Sequence, residues 1–246
     1  MKSILIMGLG YTARAFIPLF QGQYEIQTAS RSSDADFQFD YVNPETWNEL
    51  PTSDIGIITF PLKPFANIEA FSKILKTKFK RVVVIGTTGS IDVEYDNQVV
   101  TENSVFDESQ ERVQSENYLL KSGANLIHSA GIYGEGRDPR NWVMRGLVGP
   151  EDRFVNFIHV EDLCRFILAA SEAGESGKRY IASDSSPQKW SDLIERWKRE
   201  YNLVVPAEFK KSQRKSKQID ASESIKSLGV QIKFSSIHEG LCEIGF

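Results

Sequence analysis

Three short stretches carry residue types that could do chemistry. The first is Gly8-Leu9-Gly10-Tyr11-Thr12-Ala13, a G-x-G-x-x-A turn after the apolar run Ile4-Leu5-Ile6-Met7. Gly8 permits a tight turn, Gly10 lets backbone approach a pyrophosphate with no Cβ in the way, and Ala13 keeps the following helix close to the strand. The first turn of that helix, at Tyr11 and Thr12, presents unpaired N–H groups to an anion. This implies a bound dinucleotide, and so redox or nucleotide-sugar chemistry. The second stretch, Thr87-Thr88-Gly89, offers hydroxyl donors to a substrate oxygen. The third holds Glu108 and Arg112, four residues apart. An ordinary Glu favours the role of base over that of acid, and an Arg binds hydroxyls but cannot release a proton. The same two residues also make a plain i, i+4 surface pair.

The second strand bears on the kind of dinucleotide. NAD-preferring proteins place an acid roughly 20 residues after the glycines, on the ribose 2′-hydroxyl. Here that place reads Ala29-Ser30-Arg31-Ser32, with no acid before Asp34. Arg31 suits a 2′-phosphate, with Ser30 or Ser32 as hydrogen-bond donors. NADP is expected in preference to NAD. Thr59 and Phe60, at the end of the third apolar run, are expected along the cofactor wall.

These residues need a scaffold, and the pattern predicts one. Residues 4–7, 24–30, 55–59, 82–85 and 126–127 are β-rich, several apolar on consecutive positions, as strands buried on both faces are. Between them Ile68, Phe71 and Leu75 repeat at helical spacing, as do Leu163, Phe166, Ile167 and Ala170 later. Alternating strands and helices predict an α/β fold, a Rossmann-type doubly wound parallel sheet. Beyond about residue 170 the character shifts. Residues 179–182 suggest a short strand, and Ser186-Pro187 is expected to open a helix with Trp190, Leu193, Ile194, Trp197 and Tyr201 on a core-facing stripe. The basic stretch 210–217 reads as a solvated loop, with a phosphate contact as the alternative. A final short helix ends at Gly229. The expected division is a dinucleotide-binding domain over 1–170 and a small C-terminal α/β substrate lobe over 171–246, with an interleaved boundary.

Composition removes other classes. A formal charge of −4 argues against a nucleic-acid surface. No apolar stretch is long enough for a membrane span. Cys164 and Cys242 form no pair motif, and His128, His159 and His238 lack metal-ligand spacing. Met1-Lys2-Ser3 runs straight into the glycine turn without a signal-peptide layout, so a cytoplasmic protein is expected.

Taken in order, the motifs resemble the extended short-chain dehydrogenase/reductase superfamily, in its nucleotide-sugar epimerase/dehydratase branch. Gly8, Gly10 and Ala13 stand where that branch usually has G-x-x-G-x-x-G, so the form here is similar to a short, atypical subgroup. Phe39-Asp40 matches the site where an Asp contacts the adenine. Thr87-Thr88-Gly89 resembles the Ser/Thr-rich active-site segment. Ala130-Gly131-Ile132-Tyr133-Gly134-Glu135-Gly136-Arg137 and Asn156-Phe157-Ile158-His159-Val160-Glu161-Asp162-Leu163 resemble two further family segments. The resemblance implies NADP or NAD as cofactor, a small-molecule substrate of the nucleotide-sugar kind, and a nicotinamide near Thr87 and Tyr133.

One departure limits what the resemblance implies. Family enzymes move a proton with a Tyr-x-x-x-Lys pair. Aligned on Ser115-Glu116, this chain has Glu108 at the Tyr position and Arg112 at the Lys position. Tyr95 is a candidate displaced acid, and His128 stands where many members carry Arg. The expectation is therefore an oxidoreductase or epimerase with altered proton chemistry, slow or inactive on UDP- and GDP-sugars. The alternatives are a non-catalytic dinucleotide-binding sensor, or an enzyme on a smaller substrate with Glu108 as base.

Overall fold

The computed structural model describes residues 1–245. In chain order, β1 (Ser3–Met7) leads into α1 (Tyr11–Phe20), β2 (Glu25–Ser30), β3 (Phe37–Gln38), β4 (Ser53–Ile58), α2 (Ile68–Lys78) and β5 (Phe79–Thr87). Then come β6 (Gln98–Val100), α3 (Glu111–Lys121), β7 (Asn125–Ser129), β8 (Gly131–Tyr133), α4 (Arg140–Met144), β9 (Phe154–Val155), β10 (Phe157–His159) and α5 (Val160–Ala173). The chain continues through β11 (Arg179–Ala182), β12 (Gln188–Lys189), α6 (Trp190–Tyr201), β13 (Lys217–Ile219), α7 (Ser222–Leu228) and α8 (Ile237–Ile244).

Seven strands form one sheet in the order β3-β2-β1-β4-β5-β7-β11, every pair parallel. The chain order reverses between β1 and β4, the switch point where such sheets open a crevice at their carboxyl ends. The continuous apolar runs have the expected cause. In β1, Ile4 and Ile6 pack with Phe16 of α1 and Phe166 of α5, while Leu5 and Met7 pack with Phe71 of α2 and Leu119 of α3. Both faces are covered, so an unbroken apolar strand is stable there.

A separate apolar cluster joins Tyr133, Val143 and Phe157 to Trp190, Trp197 and Leu241. The Trp190–Trp197 stripe is core, as expected. The division at residue 170 falls inside α5, where Ala170 is fully buried in the larger core. Beyond it, β11 completes the large sheet against β7. Before it, β8, α4 and β10 contribute to the smaller cluster. The two apolar clusters draw on interleaved stretches of the chain.

Two local expectations are corrected. Ser186-Pro187 does not open a helix: Gln188–Lys189 pairs antiparallel with β9, and α6 begins at Trp190. The backbone N–H groups of Trp190 and Ser191 donate to Arg153 and Glu151 at 3.1 Å, which moves the helix start downstream. Nor is the helix ending at Gly229 the last. In α8, Ser236 accepts the Glu239 N–H, an S-x-x-E capping arrangement legible in the sequence. No described helix is long and apolar enough to cross a membrane.

Candidate functional site

The carboxyl ends of β1, β4, β5 and β7 open into a cleft of about 1450 Å³. Gly10, Tyr11 and Thr12 line one side, Thr59 and Pro61 the next, and Gly86, Thr87 and Thr88 the floor. Arg112, residues 129–132 and residues 210–215 with Lys217 close it.

The glycine turn is built as its residue types require. Gly8 sits at φ +99°, and a Cβ there would lie 2.6 Å from Thr59 Oγ1. That hydroxyl donates to the Gly8 carbonyl at 2.7 Å and ties the end of β4 to the turn. At Gly10, by contrast, an added Cβ would meet nothing within 4 Å. Gly10 caps α1 without any side-chain bond, so the first-turn N–H groups have no intrahelical acceptors beside the cleft. Ala13 is buried against the sheet. An open glycine, free amides and a large cleft fit a pyrophosphate. Tyr11 bridges this turn to the next segment: its hydroxyl donates to the Glu135 carbonyl at 3.0 Å, and the Arg137 guanidinium lies 5.5 Å from its ring. Burial raises its pKa, opposed by Arg137.

At the far end of β2, Arg31 is exposed, and buried Ser30 accepts the Ser32 N–H at 3.0 Å. Asp34 is held by Ser32 and by Arg14 of α1, at 2.6 Å from the guanidinium. Arg14 places a second guanidinium here, one that the sequence reading did not single out. Asp40 lies beyond β3, where its carboxylate accepts the Val42 N–H at 3.0 Å. Phe60 packs on Phe39 and Tyr41, beside the turn rather than on the cleft lining.

The two threonines differ in what they have left to give. Thr88 is buried and its hydroxyl donates to the Ser129 carbonyl at 3.2 Å. Thr87 Oγ1 accepts the Gly89 N–H at 3.1 Å, which leaves its own proton for a ligand. Arg112 donates from Nε to Glu116 at 2.5 Å and from an Nη to the Ile85 carbonyl at 2.7 Å, so its remaining N–H groups serve the cleft. Behind it, Glu116 Oε2 and His128 Nδ1 face each other at 3.9 Å, both fully enclosed. Burial raises the Glu116 carboxyl, with Arg112 opposing. Burial holds the His128 ring well below its ordinary pKa, helped by Arg179 and Arg112. His128 is thus a neutral core histidine, as expected, and so close to β5 that a Cβ on Gly86 would lie 2.4 Å from its ring.

Three expected site residues lie elsewhere. Glu108 is exposed, accepts from Asn117 at 3.0 Å, and stands outside the cleft lining. Helix α3 starts at Glu111, so position 108 precedes its first turn and makes no i, i+4 pair with Arg112. Tyr133 is fully buried in the smaller cluster, its hydroxyl donating to the Ser236 carbonyl at 3.3 Å. Strand alternation explains this: Ile132 lines the cleft, and Tyr133, the next residue along β8, turns to the opposite face and into the smaller cluster. Tyr95 is 62% exposed and likewise off the lining.

The basic stretch moves the other way. Residues 210–215 are exposed to solvent yet form one wall of the cleft. Arg214 Nη1 reaches to within 3.6 Å of the Cβ position of Gly89. Lys217 is half-buried, and its Nζ donates to the Thr88 carbonyl. The charge run is plain in the sequence, but nothing local to it places it over the β5 end.

No protein-family model matches the chain, and no curated protein matches it. Solved structures match its fold over nearly the full length. A conserved protein of unknown function from Silicibacter pomeroyi is 20% identical, with 99% of this chain and 98% of that one covered and a TM-score of 0.76. UDP-glucose 4-epimerase from Thermotoga maritima, solved with UDP-glucose, is 16% identical over 97% and 96% of the chains, with a TM-score of 0.77. MoeE5, solved with UDP-glucose and NAD, is 13% identical over 98% and 96%, with a TM-score of 0.80. The Rossmann-type fold expected from the glycine turn and the βα alternation is the fold these structures have.

Proposed function

We propose that this chain binds a nicotinamide dinucleotide in its cleft and acts with it as an oxidoreductase or epimerase on a small, sugar-like molecule. The observation that carries the reading is one cleft bringing together the open Gly10 turn, Thr87 and Arg112 at the switch point of the sheet. Shared fold with proteins solved with UDP-glucose, and in one case NAD, supports it. Gly8, Gly10 and the first turn of α1 would hold the pyrophosphate. Arg31, with Ser30, Ser32 and Arg14 near the end of β2, would face the adenosine, and the charge of Arg31 favours NADP over NAD. Arg112 would hold nicotinamide-ribose hydroxyls while staying charged. A bound nicotinamide supplies or accepts hydride. Thr87 would donate its free hydroxyl proton to a substrate oxygen. Lys210, Lys211 and Arg214 along the wall suit an anionic substrate such as a nucleotide-sugar. A cytoplasmic location goes with this reading.

Titration of purified protein with NADPH and NADH, read by nicotinamide fluorescence, tests it. Saturable binding of both, tighter for NADPH, is expected; binding of neither sinks the proposal. The second reading is a dinucleotide sensor that kept the fold without the chemistry. Glu108 lying outside the cleft lining, bonded to Asn117, favours it, because position 108 then supplies no proton acceptor there. The two part on turnover: a sensor binds NADPH but oxidises none of it with any carbonyl substrate.

A further inference from the structure

Lys217 is aimed by its surroundings. It opens β13, which pairs in parallel with β6. The Asn156 side chain donates to the Lys217 carbonyl at 2.9 Å and accepts the Ile219 N–H at 2.8 Å. That clamp sets the backbone so that Nζ reaches the Thr88 carbonyl, one residue from Thr87. An ammonium has three donors. Thr88 takes one, leaving two on a side chain that lines the cleft.

We propose that Lys217 is the proton-transfer group of this site, standing in for the missing Tyr-x-x-x-Lys pair. The idea rests on the nicotinamide reading above. With a carbonyl substrate beside Thr87, hydride from a reduced nicotinamide dinucleotide enters the carbonyl carbon. The C=O π pair moves to oxygen, and Nζ–H gives that oxygen its proton. The alcohol forms, the dinucleotide leaves oxidised by two electrons, and water reprotonates the amine. In the reverse direction the neutral amine takes the alcohol proton.

Of the other cations lining the cleft, Arg112, Arg137, Arg153 and Arg214 cannot release a proton, while Lys210, Lys211 and Lys215 are exposed and make no bond to the Thr87-Thr88 segment as Lys217 does. Burial lowers the Lys217 pKa to about 8, with Arg214 adding to it. General acids act best when they titrate near working pH. Asp92 after β5 also lines the cleft, as do Glu151 and Arg153 before β9, which bond the Ser212 N–H and the Arg214 carbonyl just before the lysine in the chain.

Two measurements test the assignment. Trace acetylation of the unliganded protein, read by mass spectrometry against pH, should show Lys217 becoming reactive near pH 8, below the exposed lysines, and NADPH should protect it. Second, oxidised nicotinamide is cationic, so a protonated Lys217 repels it. NADP⁺ affinity relative to NADPH should therefore rise about tenfold from pH 6.5 to 9.5 in the wild type and stay flat in Lys217→Met. Lys217 labelling together with the exposed lysines, labelling unaffected by NADPH, or a pH dependence retained in Lys217→Met overturns the proposal. Binding of both dinucleotides with a flat wild-type ratio overturns Lys217 alone. Binding of neither overturns the nicotinamide reading and this inference with it.

Discussion

Arg112 is built to hold a ligand rather than to move a proton. Its guanidinium is fastened to Glu116 and to the Ile85 carbonyl, a rigid fork at the floor of the cleft. A fork of that kind orients hydroxyls well and shuttles protons badly. The same residue-level logic applies at the end of β2, where the adenosine is proposed to lie. Arg31→Ala should cost about 1–3 kcal/mol of NADPH affinity and little of NADH affinity. Fluorescence titration checks this, and equal losses would show that Arg31 does not read the 2′-phosphate. Glu108→Gln should leave dinucleotide affinity and any turnover unchanged, because Glu108 bonds Asn117 outside the cleft. A large loss of activity in that variant would return Glu108 to the site.

Among the elements, the β1–α1 turn has one glycine the fold requires and one that faces open space. Gly8→Ala must place a Cβ at φ +99° and 2.6 Å from Thr59 Oγ1. It should destabilise the fold by about 1–3 kcal/mol, seen as a lower Tm. Gly10→Ala meets open space and should unfold like the wild type while losing NADPH affinity. If Gly10→Ala binds NADPH normally, the turn is not the pyrophosphate site. The second resemblance segment is mostly structural. His159 caps α5 by accepting the Glu161 N–H, and Asp162 accepts the N–H groups of Lys233 and Phe234 at 2.9 Å. Asn156 is the member that reaches toward the site, through its clamp on β13.

Across the whole molecule, the sheet and the smaller cluster meet at a buried carboxyl. Asp184 follows β11, its N–H donates to Phe157 of β10, and burial raises its pKa to about 7. Its Oδ1 accepts the Ser186 N–H, while Oδ2 is enclosed without a partner. The folded pKa lies above the unfolded value of 3.8. The unfolded chain therefore releases this proton first, and stability falls as pH rises from about 4 to 7. Asp184→Asn removes that loss. It should raise thermal stability at pH 8 by up to ~4 kcal/mol and change little at pH 4. His128 acts oppositely: its pKa is depressed, so its contribution is complete above 6.5 and declines as pH falls below that value. A Tm that does not change between wild type and Asp184→Asn at pH 8 would count against a buried, protonated Asp184.

Local patterns were enough for the sheet and the glycine turn. A strand covered on both faces must be apolar throughout, and a tight turn at positive φ favours glycine, so the stretch over residues 4–8 declares itself without help from distant residues. The Trp190–Trp197 stripe was legible for the same reason, since helical spacing of large apolar groups has one stable outcome. What lies over the end of β5 was decided by tertiary structure alone. Glu108 left the cleft because α3 starts three residues later, Tyr133 turned inward by strand alternation, and Lys217 arrived from 129 residues beyond its Thr88 partner. Charge along a chain says nothing of which concave surface will receive it. Only the pairing of β13 with β6 and the Asn156 clamp carry a basic run, solvated by every local rule, into contact with the cleft.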